Sequence, residues 1–195
     1  MLIFLYAPKI SDEISKIINN TQGKLKVFIH TPGVIKDNKI DFSAIENAVN
    51  IKIDAMQNYE NAIFENHTFG FATSISPTFK VIDKDAEIIS KYEGGDGAVA
   101  IKGDCVYCGV GNLPSSLWLR LARHAEVHIY SDKLITMYAD SRFVSCQFPG
   151  DCTDRITVKE DGIYTDLFTD KEYTAKGGIL EFEHTSYQMM MFAKK

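Results

Sequence analysis

The stretch that most constrains the fold lies mid-chain, at residues 104–132, DCVYCGVGNLPSSLWLRLARHAEVHIYSD. It predicts a strand, a glycine-containing tight loop, a helix and a second strand. Pro114 fits the first turn of a helix, where a missing N–H is tolerated, and apolar residues then recur at helical spacing over 117–125. Residues 98–101 form another apolar run, and too few residues separate it from this stretch for a helix, so the two strands are predicted to form a hairpin. The run 127–130 predicts the next strand. A short helix between two apolar strands is typical of a crossover connection, so a parallel sheet is expected here.

The beginning of the chain predicts a second unit of this kind. Residues 2–7 and 25–30 are apolar runs of strand length, and Ser11 can cap a helix between them. Strand, helix and strand in so short a stretch form one βαβ unit. The inner face of this helix is predicted to carry Ile14, Ile17 and Ile18, and its end to fall at Asn19, Asn20 and Gly23.

The last third of the chain has a different character. Short β-like runs follow one another from residue 135 onward without a helical pattern between them. Turn signals separate the runs at Pro149-Gly150, Asp161-Gly162 and Gly177-Gly178. This part predicts a small antiparallel β-sandwich, so the chain is expected to form two domains, 1–134 and 135–195.

Composition argues against two classes of partner, nucleic acids and membranes. The chain has a net charge of -5, whereas a nucleic-acid partner needs a basic face. No apolar run reaches the roughly 20 residues of a membrane span, so no membrane partner is expected. The start, MLIFLYAPK, lacks the basic region and long apolar core of a signal peptide. Four cysteines in a chain of this apolar content need no disulfides, and we expect reduced thiols and a cytoplasmic location.

Residues 106–132 are similar to the C-terminal part of bacterial β-galactosidase-like glycoside hydrolases of the family 42 type. In those enzymes a catalytic TIM barrel precedes a class I glutamine-amidotransferase-like domain, often called the trimerisation domain, and a small β-sandwich comes last. The matching features are Leu113-Pro114 at the helix start, the helix 117–125, the run Val127–Asp132, Tyr138-Ala139 with Phe143-Val144, VFIHTPGVI at Val27–Ile35, and Phe168-Thr169-Asp170.

This resemblance implies a fold and a function. The fold would be an α/β domain at 1–134, flavodoxin-like or amidotransferase-like, with a mainly parallel sheet and flanking helices, followed by a small antiparallel β-sandwich at 135–195. The chain would be a non-catalytic accessory and oligomerisation module, because the barrel with its catalytic carboxylates is not in this sequence. Its partners would be further copies of itself, a trimer among them, or a glycosidase catalytic domain.

A second hypothesis belongs to a different class, a small cysteine-dependent hydrolase or amidotransferase-like enzyme that uses Cys108. A nucleophilic cysteine of this kind lies at a sharp strand-to-helix turn between small residues. A glycine follows Cys108, but a valine and a tyrosine precede it. His124 or His128 would serve as the base. The alternative is a small buried side chain in a strand.

Two further binding hypotheses remain open. Cys105, Cys108, Cys146 and Cys152 could form a four-thiolate zinc site, although residues three apart in a strand point to opposite faces. The loop 109–114 and Pro32-Gly33 mark the C-terminal strand edge, where open α/β sheets bind ligands, so a carbohydrate- or small-molecule-binding module is a third hypothesis. The histidines at 30, 67 and 184 show no ligand spacing. The sequence therefore assigns no catalytic, cofactor-binding or metal-binding residue, and no cofactor.

Overall fold

The computed structural model describes residues 1–21 and 24–195. Strands dominate this part of the chain, and its helices are few and short. None of these helices is long and apolar enough to cross a membrane. The helices are α1 (Asp12–Asn20), α2 (Ser43–Val49) and α3 (Ser115–His124). The strands are β1 (Leu2–Phe4), β2 (Lys26–Ile29), β3 (Ile35–Lys36), β4 (Lys39–Ile40), β5 (Ile53–Met56), β6 (Ala62–Phe64), β7 (His67–Phe69), β8 (Thr78–Val81), β9 (Glu87–Tyr92), β10 (Gly97–Lys102), β11 (Cys105–Cys108), β12 (Thr136–Ala139), β13 (Phe143–Gln147), β14 (Cys152–Thr157), β15 (Gly162–Asp166), β16 (Glu172–Ala175), β17 (Ile179–His184) and β18 (Met189–Lys194).

The first of two compact units, Met1–Val127, contains a nine-stranded mixed sheet. Its main path is β1-β2-β11-β10-β9-β6-β7, and β8 joins β5 to β10. Only the pairs β1–β2 and β2–β11 are parallel, and the remaining pairs of this sheet are antiparallel. The predicted α/β fold, flavodoxin-like or amidotransferase-like with a mainly parallel, helix-flanked sheet, is therefore wrong. The short connections between β9, β10 and β11 leave no room for crossover helices, so these strands pair antiparallel.

The mid-chain stretch fulfils its prediction in part. The strand β11, the helix α3 and the hairpin of β10 with β11 are all present. The strand predicted at 127–130 is absent. The backbone N–H of Val127 bonds to the Ala122 carbonyl across the left-handed Glu126 (φ 51°), a pattern that ends α3. The Tyr130 carbonyl accepts from the Thr157 N–H at 2.8 Å, so this residue is bonded within the second unit. The predicted crossover at this point is therefore wrong.

Two apolar clusters pack on the two faces of the first sheet. Successive residues of β11 fall into different clusters, with Cys108 in one and Tyr107 in the other, as the two-residue period of a strand requires. Helix α3 adds Leu117 and Leu121 to the first cluster, and α2 adds Ile45 to the second. Both faces of the central strands are thus covered.

The βαβ unit at the beginning of the chain forms as predicted, with β1 parallel to β2 and α1 between them. Ser11 caps α1 by accepting a hydrogen bond from the Ile14 N–H at 3.3 Å. The predicted inner face is only partly correct, since Ile18 is buried while Ile14 and Ile17 are 42% and 59% exposed. The helix ends at Asn20, and the predicted stop signal Gly23 lies outside the described residues.

The second unit, His128–Lys195, consists of antiparallel sheets. One has five strands in the order β12-β13-β18-β15-β16, and the other is the pair β14-β17. A single apolar cluster, with Phe148, Phe182 and Phe192 at its centre, fills this unit. The prediction of antiparallel strands in a β-sandwich-like arrangement is confirmed. The division between the units falls at 127/128, compared with the domain boundary predicted at 134/135.

Candidate functional site

The carboxyl ends of β1, β2 and β11 meet at one edge of the first sheet, because these three neighbouring strands are parallel. The loops that follow them contain three non-glycine residues with left-handed backbone, Tyr6 (φ 47°), His30 (φ 67°) and Asn112 (φ 53°). Such conformations are uncommon for residues with a Cβ and cluster at functional sites. This edge is the one at which the sequence predicts a ligand.

The hydrogen bonds of His30 fix its orientation. Its Nε2 lies 3.0 Å from the Pro77 carbonyl oxygen, so Nε2 carries the proton, and Nδ1 can accept from the Thr31 hydroxyl at 3.4 Å. The His30 carbonyl accepts from the Tyr107 hydroxyl at 2.9 Å. Burial lowers the pKa of His30 and outweighs the opposing hydrogen bond to Pro77. The protein engages both ring nitrogens of His30, and this fixes the ring beside Phe71.

Aromatic side chains surround this edge, and we call Tyr6, His30, Tyr59 and Phe71 the aromatic edge cluster. The ring of Phe71 lies 5.9 Å from that of Tyr6 and 5.2 Å from that of His30. The Tyr59 hydroxyl accepts from the Phe71 N–H at 2.6 Å. Tyr6 is 54% exposed, so the cluster presents an aromatic face to solvent against which a flat or partly apolar ligand could stack.

The glycines of the loop 109–114 serve close packing. A Cβ at Gly111 would lie 2.7 Å from Phe71 Cε1 and 2.8 Å from the Tyr6 hydroxyl. A Cβ at Gly109 would lie 2.4 Å from the Tyr92 hydroxyl oxygen. The close approach of aromatic side chains accounts for both glycines.

A cleft of about 380 Å³ lies beside Gly33, the second place where the sequence predicts a ligand. Residues of α1, α2 and the chain around β3 line it, and the loop 109–114 does not. Its charged and amide side chains, among them Lys36, Asp37 and Asn47, are exposed. A specific ligand site normally holds a few well-positioned polar groups, and among the lining residues whose burial the structure describes, no buried polar side chain supplies one.

Cys108 does not have the environment of a nucleophile. It is fully buried in the apolar cluster beneath α3, and burial strongly raises the pKa of its thiol. Reactive cysteines have a lowered pKa and access to solvent. Residues 109–114 separate Cys108 from α3, so the sharp strand-to-helix turn is not formed. His124 ends α3, whereas His128 begins the second unit and bonds to the Thr157 carbonyl.

The four cysteines are free thiols in different surroundings. Cys105 and Cys108 belong to different apolar clusters of the first unit, and Cys146 is buried in the cluster of the second. Cys152 is exposed. Among the described residues, the group of potential metal ligands includes Cys152 but not the other three cysteines, so the structure does not bring together the four-thiolate site.

Instead, Cys152 lies beside Asp154 and His184, and we call these three residues the strand-end cluster. The Cys152 Sγ lies 3.5 Å from Asp154 Oδ2 and 3.6 Å from His184 Nε2. His184 Nε2 lies 3.2 Å from Asp154 Oδ2. Sequence reasoning missed this cluster because His184 is far from Cys152 along the chain. The sequence did hold a signal. In CTDRI and LEFEH, Asp154 and His184 stand at positions where the alternation predicts an inward-facing apolar residue.

The electrostatics of the strand-end cluster centre on Asp154. Burial alone would raise the pKa of this carboxyl, but hydrogen bonds from Lys133, His184 and Cys152 outweigh it and lower the pKa. Burial and the neighbouring Asp154 raise the pKa of the Cys152 thiol. Without a further positive charge, Cys152 is therefore held as a thiol and is not an activated nucleophile.

Comparison with solved structures shows what the fold of this chain is similar to. No family model matches the chain, and no curated protein matches it in sequence. Among solved structures, it is similar to the β-galactosidase from the psychrophilic Marinomonas ef1, with a TM-score of 0.60 and 10% sequence identity. The match covers 100% of this chain and 29% of the β-galactosidase. The chain thus shares the fold of a region that makes up less than a third of that protein.

Proposed function

We propose that this chain is a non-catalytic accessory and oligomerisation module of a β-galactosidase-like glycoside hydrolase of the family 42 type. The observation that carries the proposal is the extent of the structural likeness. All of this chain, across both units, matches a region that is 29% of a β-galactosidase. A region of that size fits an accessory role, in which the chain associates with a catalytic domain or with further copies of itself.

The exposed apolar side chains near the beginning of the chain support association. Ile3 and Leu5 are 45% and 61% exposed, and on α1 the side chains of Ile14 and Ile17 are exposed too. Strand β1 ends the described path of the first sheet, and unpaired strand edges and exposed apolar side chains favour contacts with other chains. We propose this segment as the association surface, with a trimer as the expected assembly.

Light scattering over a range of concentrations tests the proposal. The wild-type chain is expected to form an assembly of several times 21.9 kDa, or to bind a family 42-type catalytic domain when the two are mixed. Ile17→Lys should weaken either association, because it places a charge on an apolar surface. Leu134→Lys is the matched control, since Leu134 is 90% exposed in the second unit. A strict monomer that binds no catalytic domain would overturn the proposal.

A second candidate function is carbohydrate binding at the aromatic edge cluster. Its specific support is the exposed ring of Tyr6 beside Phe71, together with Asn112, whose amide donates to the Gly70 carbonyl at 2.8 Å. Calorimetric titration with galactose and β-galactosides tests it. Binding should be lost in Tyr6→Ala and kept in Tyr187→Ala, a control tyrosine that is 66% exposed in the second unit. No heat of binding with wild type would contradict this function.

A further inference from the structure

The strand-end cluster occupies positions at which the local pattern calls for apolar residues. Strands β14 and β17 are antiparallel, with Cys152 directly opposite His184. Alternate residues of the two strands point into the core, where Ile156 and Phe182 are 1% and 2% exposed. Asp154 and His184 continue these inward rows and are themselves buried. Burying a carboxylate and an imidazole is unfavourable unless partners compensate, so this pair needs a physical reason.

The distances within the cluster fit a tetrahedral metal. Zinc bound by a thiolate, an imidazole nitrogen and a carboxylate oxygen would set these atoms about 3.3 to 3.6 Å apart. The observed separations are 3.5 Å from Cys152 Sγ to Asp154 Oδ2, 3.6 Å from Cys152 Sγ to His184 Nε2, and 3.2 Å from His184 Nε2 to Asp154 Oδ2. The three side chains therefore need little rearrangement to accept an ion.

The surrounding hydrogen bonds orient the ligand atoms. His184 Nδ1 lies 3.1 Å from the Thr185 carbonyl oxygen, which can only accept, so Nδ1 carries the proton. Nε2 faces the carboxylate and the sulfur, and in a zinc complex its lone pair would bind the ion while Nδ1 keeps its proton. The other carboxylate oxygen, Asp154 Oδ1, is held by Lys133. A carbonyl partner for the second histidine nitrogen and a hydrogen bond to the carboxylate are usual supports of a metal site.

The ligand types select the metal. One nitrogen, one sulfur and one oxygen suit Zn²⁺, whereas Mg²⁺ and Ca²⁺ prefer oxygen ligands alone. Cys152 is exposed while the other two residues are buried, so a fourth position would open toward solvent. We propose that the strand-end cluster is a zinc-binding site, with Cys152 Sγ, Asp154 Oδ2 and His184 Nε2 as ligands and water in the fourth position. This site is independent of the proposed association with a glycosidase.

Cobalt(II), a spectroscopic substitute for zinc, tests this proposal on the full chain after chelator treatment. One equivalent should bind, with a thiolate-to-cobalt charge-transfer band in the near ultraviolet and the visible bands of a tetrahedral site. Zinc should displace it. Cys152→Ser should lose the charge-transfer band, and His184→Gln should weaken binding by about tenfold or more.

Glu183→Gln is the matched control, because Glu183 is the neighbour of His184 and points to the opposite, exposed face of β17. It should bind cobalt as the wild type does. Cys152 is exposed, so its serine variant keeps the test valid if His184→Gln fails to fold. The absence of a charge-transfer band in the wild type, or equal bands in Cys152→Ser and Glu183→Gln, would overturn the proposal.

Discussion

The first unit's Asp83 and the second unit's Asp154 are both 6% exposed and both paired with a lysine, yet their surroundings differ in kind. Asp83 accepts from Lys102 Nζ at 2.8 Å and from the Lys52 N–H at 3.1 Å. These partners can only donate. Asp154 has Lys133 on one oxygen, and on the other an imidazole and a thiol. Each of those two groups can also offer a lone pair.

This difference separates a closed ion pair from a site that can accept a cation. The hydrogen bond from Lys102, followed by that from the Lys52 N–H, lowers the pKa of Asp83 to about 2, and the carboxylate needs nothing further. Asp154 and two of its partners, Cys152 and His184, bring three potential ligand atoms close together, and Cys152 is exposed. A buried aspartate paired with a lysine is therefore structural where hydrogen-bond donors saturate it, and a candidate metal ligand where groups with lone pairs face it.

The largest effect is expected for Asp83→Ala, which leaves the Lys102 ammonium and the Lys52 N–H without their acceptor. The free energy of unfolding should fall by about 3 kcal/mol. Urea denaturation, followed by tryptophan fluorescence of Trp118 in the first unit, measures this change. The loss should be the same with and without zinc, and a zinc-dependent loss would remove the distinction between the two aspartates.

The next effect is stabilisation of the second unit by zinc. At a free concentration about 100 times Kd, a ligand that binds only the folded state adds about 2.7 kcal/mol. Far-ultraviolet circular dichroism during urea denaturation should show this gain in the wild type and in Asp83→Ala. Cys152→Ser should show none, and an undiminished gain there would exclude Cys152 as a ligand.

A smaller effect is expected from acid. Because the pKa of Asp83 is about 2, below its ordinary value of 3.8, this carboxylate stabilises the folded state above pH 3.8, and that contribution is lost as the pH falls toward 2. Asp83→Asn should flatten the fall in unfolding free energy over this window and lower the stability at pH 7. An unchanged acid profile in denaturation series from pH 5 to pH 2 would contradict the role given to Lys102.

The smallest effect is expected for Lys133→Met. The Lys133 side chain is 57% exposed, so solvent screens its attraction to Asp154, and the free energy of unfolding should fall far less than in Asp83→Ala. Thermal and urea denaturation compare the two variants. A loss as large as that of Asp83→Ala would make the two lysine–aspartate pairs equivalent.

Local patterns in the sequence predict part of the fold. Alternation and turn signals locate most strands of the second unit, among them β15 and β17, because each signal lies within a few residues, but they miss β16 (Glu172–Ala175). The unit β1-α1-β2 and the hairpin β10-β11 follow for the same reason. The strand order of the whole first sheet cannot be predicted from local patterns, because the antiparallel pairing of β5 with β8 and of β6 with β9 depends on residues far apart in the chain.

The candidate site shows the same limit. The sequence singles out Cys108 from its neighbours, and the structure buries it beneath α3. The sequence treats His184 as isolated, whereas the register of β14 against β17 sets it opposite Cys152. A ligand set that spans two strands cannot be read from spacing along one of them.

The most direct test of this account is alkylation by iodoacetamide, measured at each cysteine by mass spectrometry with and without zinc. Cys152 should label fastest in the native protein, and zinc at about 100 times Kd should slow its labelling by about a hundredfold. Cys105, Cys108 and Cys146 should stay unlabelled because they are buried. Labelling of Cys152 at an unchanged rate in zinc, or of Cys108 as fast as Cys152, would contradict it.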